Sequence, residues 1–280
     1  MTNSSTLKTF MGITETGPLI IKPLERASVA IDVSTLISTV AGTFRFPRVT
    51  GDSQAAWTAE GAEITESETT ADEVEVIPKK LAALSKISNE LANDTSPEAQ
   101  EIIGRSIARD IAKKLDLAFF GSASATTAVQ PGGLEYLGST VTAITQNPAF
   151  GTDPYSDAIA EADALGLEIG AFIVDPATAK TLAKLKIGTG SNVPLFGTGA
   201  TNGISRNILG VPLRVSPAVL PNTAWGIPKE SVYTVLRQDV SVVIDKSVYF
   251  SSDSIGIRSI IRVAWGFVQP EAMIRIRTAP

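Results

Sequence analysis

KLAALSKISNELANDTSPEAQEIIGRSIARDIAKKLDLAFFG, residues 80–121, ends a long extended run and opens the longest helical pattern in the chain. In its second part, Ser96 suits an N-cap and Pro97 the first helical position, and Glu98 and Glu101 complement the positive end of a helix. Ile103, Ile107, Ile111 and Leu115 recur every four residues as one apolar stripe. Gly121 can close the helix in a left-handed conformation. The spacing predicts a helix over 96–121, roughly 38 Å long. That is long for a compact domain. Arg105, Arg109 and Lys113 form a second i, i+4 row that lies away from the isoleucines. This row is either a solvated face steadied by Glu101–Arg105 and Asp110–Lys114 pairs or a surface for another subunit or for DNA.

Upstream, residues 43–87 read as two extended runs around an acidic tip. TFRFPRVT alternates apolar and polar residues, the period of a half-buried strand. The return run VEVIPKKLAALSKIS holds Pro78, which restricts it to an edge or a bulge. Together they predict a long β-hairpin, and an isolated hairpin is marginal in water, so this one needs a partner surface. Its tip, AAWTAEGAEITESETT (55–70), carries Trp57, Glu60, Glu63, Glu66 and Glu68. Between Arg48 and Lys79 there is no Lys or Arg, but eight Asp or Glu. The glutamates do not follow the alternate-oxygen spacing of a calcium loop, so no metal site is expected. Trp57 suits an interface anchor, since a hairpin tip offers it few apolar neighbours. Residues 1–40 read as an irregular arm with short extended pieces; Pro18 and Pro23 forbid a continuous helix, and so polar an arm orders only by lying on something else.

Downstream, the turn-rich QPGGLEYLGS leads into an α/β passage over 154–228: PYSDAIAEADALGL as helix, AFIVDP as buried strand, ATAKTLAKLK as helix, LGVPLRVSP as strand. The last fifty residues are strand-rich, with SVYTVLRQDVSVVID, GIRSIIRVAWGFV and AMIRIRT fitting antiparallel strands with one face in a core. Trp225 and Trp265 fall in strand-like contexts suited to the core. The fold class is α+β, an α/β block interrupting two segments that belong together.

Several chemistries are disfavoured. The chain has no Cys and no His, which removes disulfides, thiolate nucleophiles and the commonest general base and metal ligand. GTGSNVPLFGTGATNG (188–203) follows a helix and runs into a strand, the reverse of a dinucleotide fingerprint, and reads as a surface loop. Ser5 and Lys8 match S-x-x-K but lie in the arm, where nothing preorganises a nucleophile. A net charge of −5 argues against a protein that coats nucleic acid, though a local basic face remains open. No apolar run reaches the length of a membrane span, and MTNSSTLKTFMGITETG lacks the pattern of a secretory signal. Neither catalytic residues nor cofactors are expected.

The order of these pieces carries a resemblance. The arm, the hairpin with A-A-W-T-A-E-G, the K-I-S-N-E-L approach to the long helix, the D-L-A-F-F-G exit, Q-P-G-G-L and L-G-V-P-L-R-V-S follow one another as in the major capsid proteins of tailed bacteriophages. The chain resembles that family, of Hong Kong 97-type fold, over nearly its whole length. The resemblance implies an N-terminal arm (1–40), an extended loop (41–83) and a P domain with its spine helix (84–130). An A domain (131–228) and the P-domain strands (229–280) would follow, the final strand returning to the A domain. It implies a structural subunit that self-assembles through pentamers and hexamers into an icosahedral shell around phage double-stranded DNA. Implied partners are further copies of the chain, a scaffolding protein (separate, or a segment removed), a portal, decoration proteins, and DNA touched non-specifically on the inner face. No membrane is implied. The location implied is the virion, after assembly in the host cytoplasm.

Some members of that family weld neighbours through a Lys on the extended loop and a late Asn. Here residues 49–78 hold no Lys, and no Asn follows Asn222, so no such crosslink is expected. The tip glutamates are expected to face a neighbour's cations, with Arg105, Arg109, Lys113, Arg258, Arg262, Arg275 and Arg277 as candidates. An encapsulin-like nanocompartment shell shares the fold, and a soluble carboxylate-dependent α/β enzyme is the alternative of another class.

Overall fold

A computed structural model describes residues 28–51, 57–58, 60–61, 70–90, 97–125, 129–186 and 206–278. The long helix α2 (Pro97–Phe119) follows a short α1 (Val29–Asp32) and four strands: β1 (Thr35–Thr39), β2 (Phe44–Gly51), β3 (Thr70–Val76) and β4 (Lys79–Ser88). After α2 come β5 (Thr142–Ile144), α3 (Asp153–Ala164), β6 (Ala171–Val174), α4 (Pro176–Lys184), β7 (Asn207–Ile208), β8 (Val211–Val215) and β9 (Thr223–Ile227). Two long strands, β10 (Val232–Tyr249) and β11 (Ser254–Phe267), precede the last, β12 (Ile274–Arg277). At 23 residues α2 is about 35 Å long.

Three sheets result. One is four-stranded in the order β1-β10-β11-β4, one is six-stranded in the order β5-β12-β9-β6-β8-β7, and among the described residues β2 pairs with β3 alone. The apolar stripe of α2 explains its seat. Ile111, Leu115 and Phe119 are buried with Ile261, Val263, Trp265 and Phe267, the odd-numbered face of β11. Phe119 meets Trp265 edge-on at 5.4 Å between ring centroids. The same cluster runs on to Ile173, Trp225 and Ile227, so one core joins the four- and six-stranded sheets. The other face of the six-stranded sheet carries α3 and α4, whose Tyr155, Ala158, Ala179 and Leu182 are buried against Phe172, Val174, Leu213 and Ile274. Asp175 caps α4, accepting from the backbone N–H groups of Ala177 and Thr178 at 3.0 and 3.2 Å.

Two expectations need correcting. The arm reading extended to residue 40, but residues 28–39 are folded into the body of the chain. Ala30, Ile31 and Val33 are buried, and β1 pairs in parallel with β10. The reason is Asp116 on α2. Its carboxylate accepts from the Ser28 hydroxyl at 2.7 Å and from the N–H groups of Val29 and Ala30 at 3.2 and 3.0 Å, capping α1 from outside. Burial raises the Asp116 carboxyl above its ordinary value although these three donors pull it down. Second, the return run 74–88 is not one strand. It breaks at Ile77-Pro78; β3 pairs with β2, whereas β4 becomes the edge of the four-stranded sheet, its residues 79–88 paired with 254–263 of β11. A proline has no N–H for a continuing ladder, so it stands where the chain changes partner. The passage from hairpin to sheet therefore falls at 77–78 rather than at 83.

Candidate inter-subunit surface

The hairpin β2–β3 is rooted by its base. Phe46 and Val76 are buried against Val235 and Ala264, the even-numbered side of β11, and Phe46 stacks on Tyr233 at 4.7 Å. Gly266 makes this contact possible: a Cβ there would come within 2.7 Å of the Phe46 ring. The stem's charges are matched across the strands. Arg45 meets Glu73 at 3.4 Å and Glu75 at 3.7 Å, Arg48 meets Asp72 at 3.8 Å, and Arg48 also donates to the carbonyl of Val268. Three of the eight acids between Arg48 and Lys79 are thus paired within the hairpin itself.

The tip differs. Trp57 is fully exposed, and Glu60 is exposed on a turn with Gly61 at positive φ. Glu63, Glu66 and Glu68 lie outside the described residues. An indole buries up to about 250 Å² at a contact, and leaving it in water forfeits that gain.

The expected cationic partners separate into three places. Arg258 and Arg262 stand on the even-numbered face of β11, the face turned away from α2. Arg262 is opposite Lys80 of β4 and Arg237 of β10, and Arg258 is opposite Leu84 and Val243. Directly opposed residues share a face, so Lys80, Arg262 and Arg237 form a cross-strand row, with Arg258 and Lys86 further along. Lys86 lies over the Tyr249 ring at 5.1 Å. The Asp245 carboxyl is held below its ordinary value by the Ser247 hydroxyl and N–H, and in small part by Arg258. Arg109 and Lys113 are exposed on α2, which packs on the opposite face of this sheet, and Arg105 belongs to the turns of α2 whose side chains are outside the description. The structure therefore does not bring the two groups of cations together.

Arg275 and Arg277 stand apart from the other candidates. Both are engaged by Glu135, which is only 9 % exposed: Arg275 at 3.4 Å, and Arg277 through a charge-assisted hydrogen bond that its Nε supplements with one to Thr223 at 2.9 Å. Two cations on β12 converge on one acid from the turn after α2 because alternate residues of a strand share a face. They tie that turn to the six-stranded sheet. That turn also fixes Gly133, where a Cβ would lie 2.2 Å from the carbonyl oxygen of Gly121. Sequence reasoning missed Lys80, Lys86 and Arg237. The sequence of β4 does not alternate cleanly, since Lys79 stands on its less exposed face and Leu84 on its exposed one, and the register that sets these cations beside Arg258 and Arg262 is not local. Among the described residues no group of His, Cys, Asp and Glu is placed to hold a metal ion, and no helix is long and apolar enough to cross a membrane.

The model of the phage capsid family matches residues 13–277. The chain belongs to that family. Its role is accordingly structural, that of a capsid protein, and not catalytic. Solved structures agree in fold. A chain from Microbacterium phage Oxtober96 superimposes with TM-score 0.70 at 16 % identity, covering 90 % of this chain and 91 % of its own. The capsid of a native GTA particle gives 0.68 at 19 % identity, with 92 % and 90 % covered. Mycobacterium phage Adephagia gives 0.69 at 16 %, with 91 % of each chain. No curated protein is significantly similar in sequence. At such identities it is the α+β, Hong Kong 97-type fold that is shared, and the capsid protein keeps it with almost wholly different side chains.

Proposed function

We propose that this capsid protein assembles through pentamers and hexamers into an icosahedral shell enclosing phage double-stranded DNA, held without Lys–Asn crosslinks. The observation that carries this reading is the unpartnered hairpin: Trp57 stands wholly in solvent on a stem whose own charges are already paired. A neighbouring copy supplies what the tip lacks. In this reading residues 1–40 are the N-terminal arm, its last part docked on its own chain. The extended loop ends at Pro78, the P domain holds α2 with β4, β10 and β11, and the A domain spans 131–228 with β12 added. The tip glutamates face a neighbour's even-numbered β4–β11 face or the exposed α2 row. A scaffolding protein, a portal and decoration proteins are the expected partners, assembly takes place in the host cytoplasm, and DNA touches the inner face without sequence preference. The absence of Lys from 49–78 and of Asn after Asn222 supports a shell held by many weak contacts repeated by symmetry.

Electron microscopy of the purified protein, with extraction of its contents and a denaturing gel of boiled particles, tests the reading. Isometric particles holding DNA and running as a single band at the mass of the chain are expected. A monomer or dimer in solution overturns the shell; a ladder of covalent multimers overturns the non-covalent closure. Particles holding a co-purifying protein in place of nucleic acid favour a nanocompartment.

A further inference from the structure

The A-domain charges are segregated along the sequence. Residues 115–175 hold eight acids and no Lys or Arg, whereas 176–229 hold six Lys or Arg and no acid. The fold turns this division into two surfaces. On α3, Asp153, Asp157 and Glu161 are exposed one turn apart. On α4, Lys180 and Lys184 are exposed one turn apart, and Arg206 is exposed just before β7. Asp157 accepts from the Gln146 amide at 2.8 Å, but among the described residues no cation pairs with these three acids and no acid pairs with these three cations. The helix dipole favours Asp153 in the first turn of α3 and Lys184 in the last turn of α4, but it fades beyond the end turns, and like charges one turn apart weaken an isolated helix.

Topology places the rows on opposite flanks. The helix α3 crosses from β5 to β6 and packs over β12 and β5, and α4 crosses from β6 to β8. In the strand order β5-β12-β9-β6-β8-β7, these positions are the two ends of one sheet, and both helices lie on the same face of it. We propose that the acidic face of α3 on one copy docks against the basic face of α4 on the next copy around a ring. This deepens the pentamer and hexamer reading and rests on it. Two-fold pairing through either helix would set like charges together, which is strongly unfavourable. Head-to-tail repetition matches opposite charges at every contact and uses the two separate flanks of the sheet one at a time, and a heterologous contact of that kind closes rings. Long, flexible lysines suit a contact made at two angles, in five- and six-membered rings, better than a fixed bidentate pair would.

The test uses the full chain in the host in which it forms particles. One variant carries Asp157→Lys with Glu161→Lys, a second carries Lys180→Glu with Lys184→Glu, and a third combines all four. Particle yield is measured by sedimentation and electron microscopy, and folding of the unassembled chain by its melting temperature. Each two-site variant is expected to melt as the unaltered chain does and to lose particles by roughly tenfold or more through like-charge contacts. The four-site variant, with charges exchanged, is expected to recover them. Normal yield from both two-site variants overturns the pairing, and so does a failure of the four-site variant to recover. An unaltered chain that forms no particles at all overturns instead the shell reading on which the pairing rests.

Discussion

The six-stranded sheet and the hairpin tip spend their apolar residues in opposite ways. Every residue of β6 and β9 is buried, Trp225 at 0 % exposure, and Arg275 lies over its ring with Glu135 closing the site. At the tip, Trp57 touches water on all sides, and the four-stranded sheet exposes Leu84 on the face turned away from α2, with Val248 and Phe250 exposed at and just past the end of β10. One region is complete within a single chain. The other is finished only when something is laid on it. For a subunit of a shell, that difference separates the part that must fold first from the part that recognises a neighbour.

The comparison breaks most visibly at its two tryptophans. Trp225→Ala empties a fully buried site in the core that joins both sheets, and is expected to cost about 3–5 kcal/mol. Thermal melting of the unassembled chain reads it directly, and a change under 1 kcal/mol would mean that this core is not the foundation of the fold. The loss should appear whether or not shells form.

Asp116 sharpens the same boundary from the N-terminal side. Asp116→Ala leaves the Ser28 hydroxyl and two backbone N–H groups without their acceptor in a mostly buried place, a cost of about 3 kcal/mol. Since burial raises this carboxyl in the folded chain, its stability contribution is fully present at low pH and declines as pH rises through the raised value. The gap in melting temperature between the unaltered chain and the variant should therefore widen as pH is lowered from neutral. A gap that narrows instead would show that the donors, and not burial, set the charge state.

Much of this boundary was legible in the sequence, and the exceptions have a common cause. The stripe Ile107, Ile111 and Leu115 gave α2 because helical period is local. AFIV read as a buried strand because a short apolar run is equally local, and Trp225 stood in a strand-like context suited to the core. Residues 28–39 were not legible as part of the body, because their place depends on Asp116, 86 to 88 positions away, and on a parallel pairing with β10. The late arginines separate likewise. By strand period Arg275 and Arg277 look like Arg258 and Arg262, and it was the resemblance, with its final strand returning to the preceding block, that set β12 apart; there Glu135 meets it. Periodicity says which residues share a face, but not which sheet the face belongs to.

The smallest effect on the single chain falls at Trp57, where the comparison is most exposed to refutation. Trp57→Ala removes a side chain that touches almost nothing in its own subunit, so the unassembled chain should melt within about 0.5 kcal/mol of the unaltered one. Within particles the same change deletes an aromatic anchor, the residue class that carries about 2 kcal/mol or more where it is buried at an interface. Multiplied over every copy, the loss should lower the temperature at which particles open, as followed by light scattering, while leaving the unassembled chain alone. Glu63→Lys combined with Glu66→Lys should act in the same direction and more weakly, because exposed pairs contribute only about 0–1 kcal/mol each. Equal destabilisation of free chain and particle by Trp57→Ala would place the indole in its own subunit's core. No effect on either would make the tip a solvated loop and leave the contact to the charged helices α3 and α4.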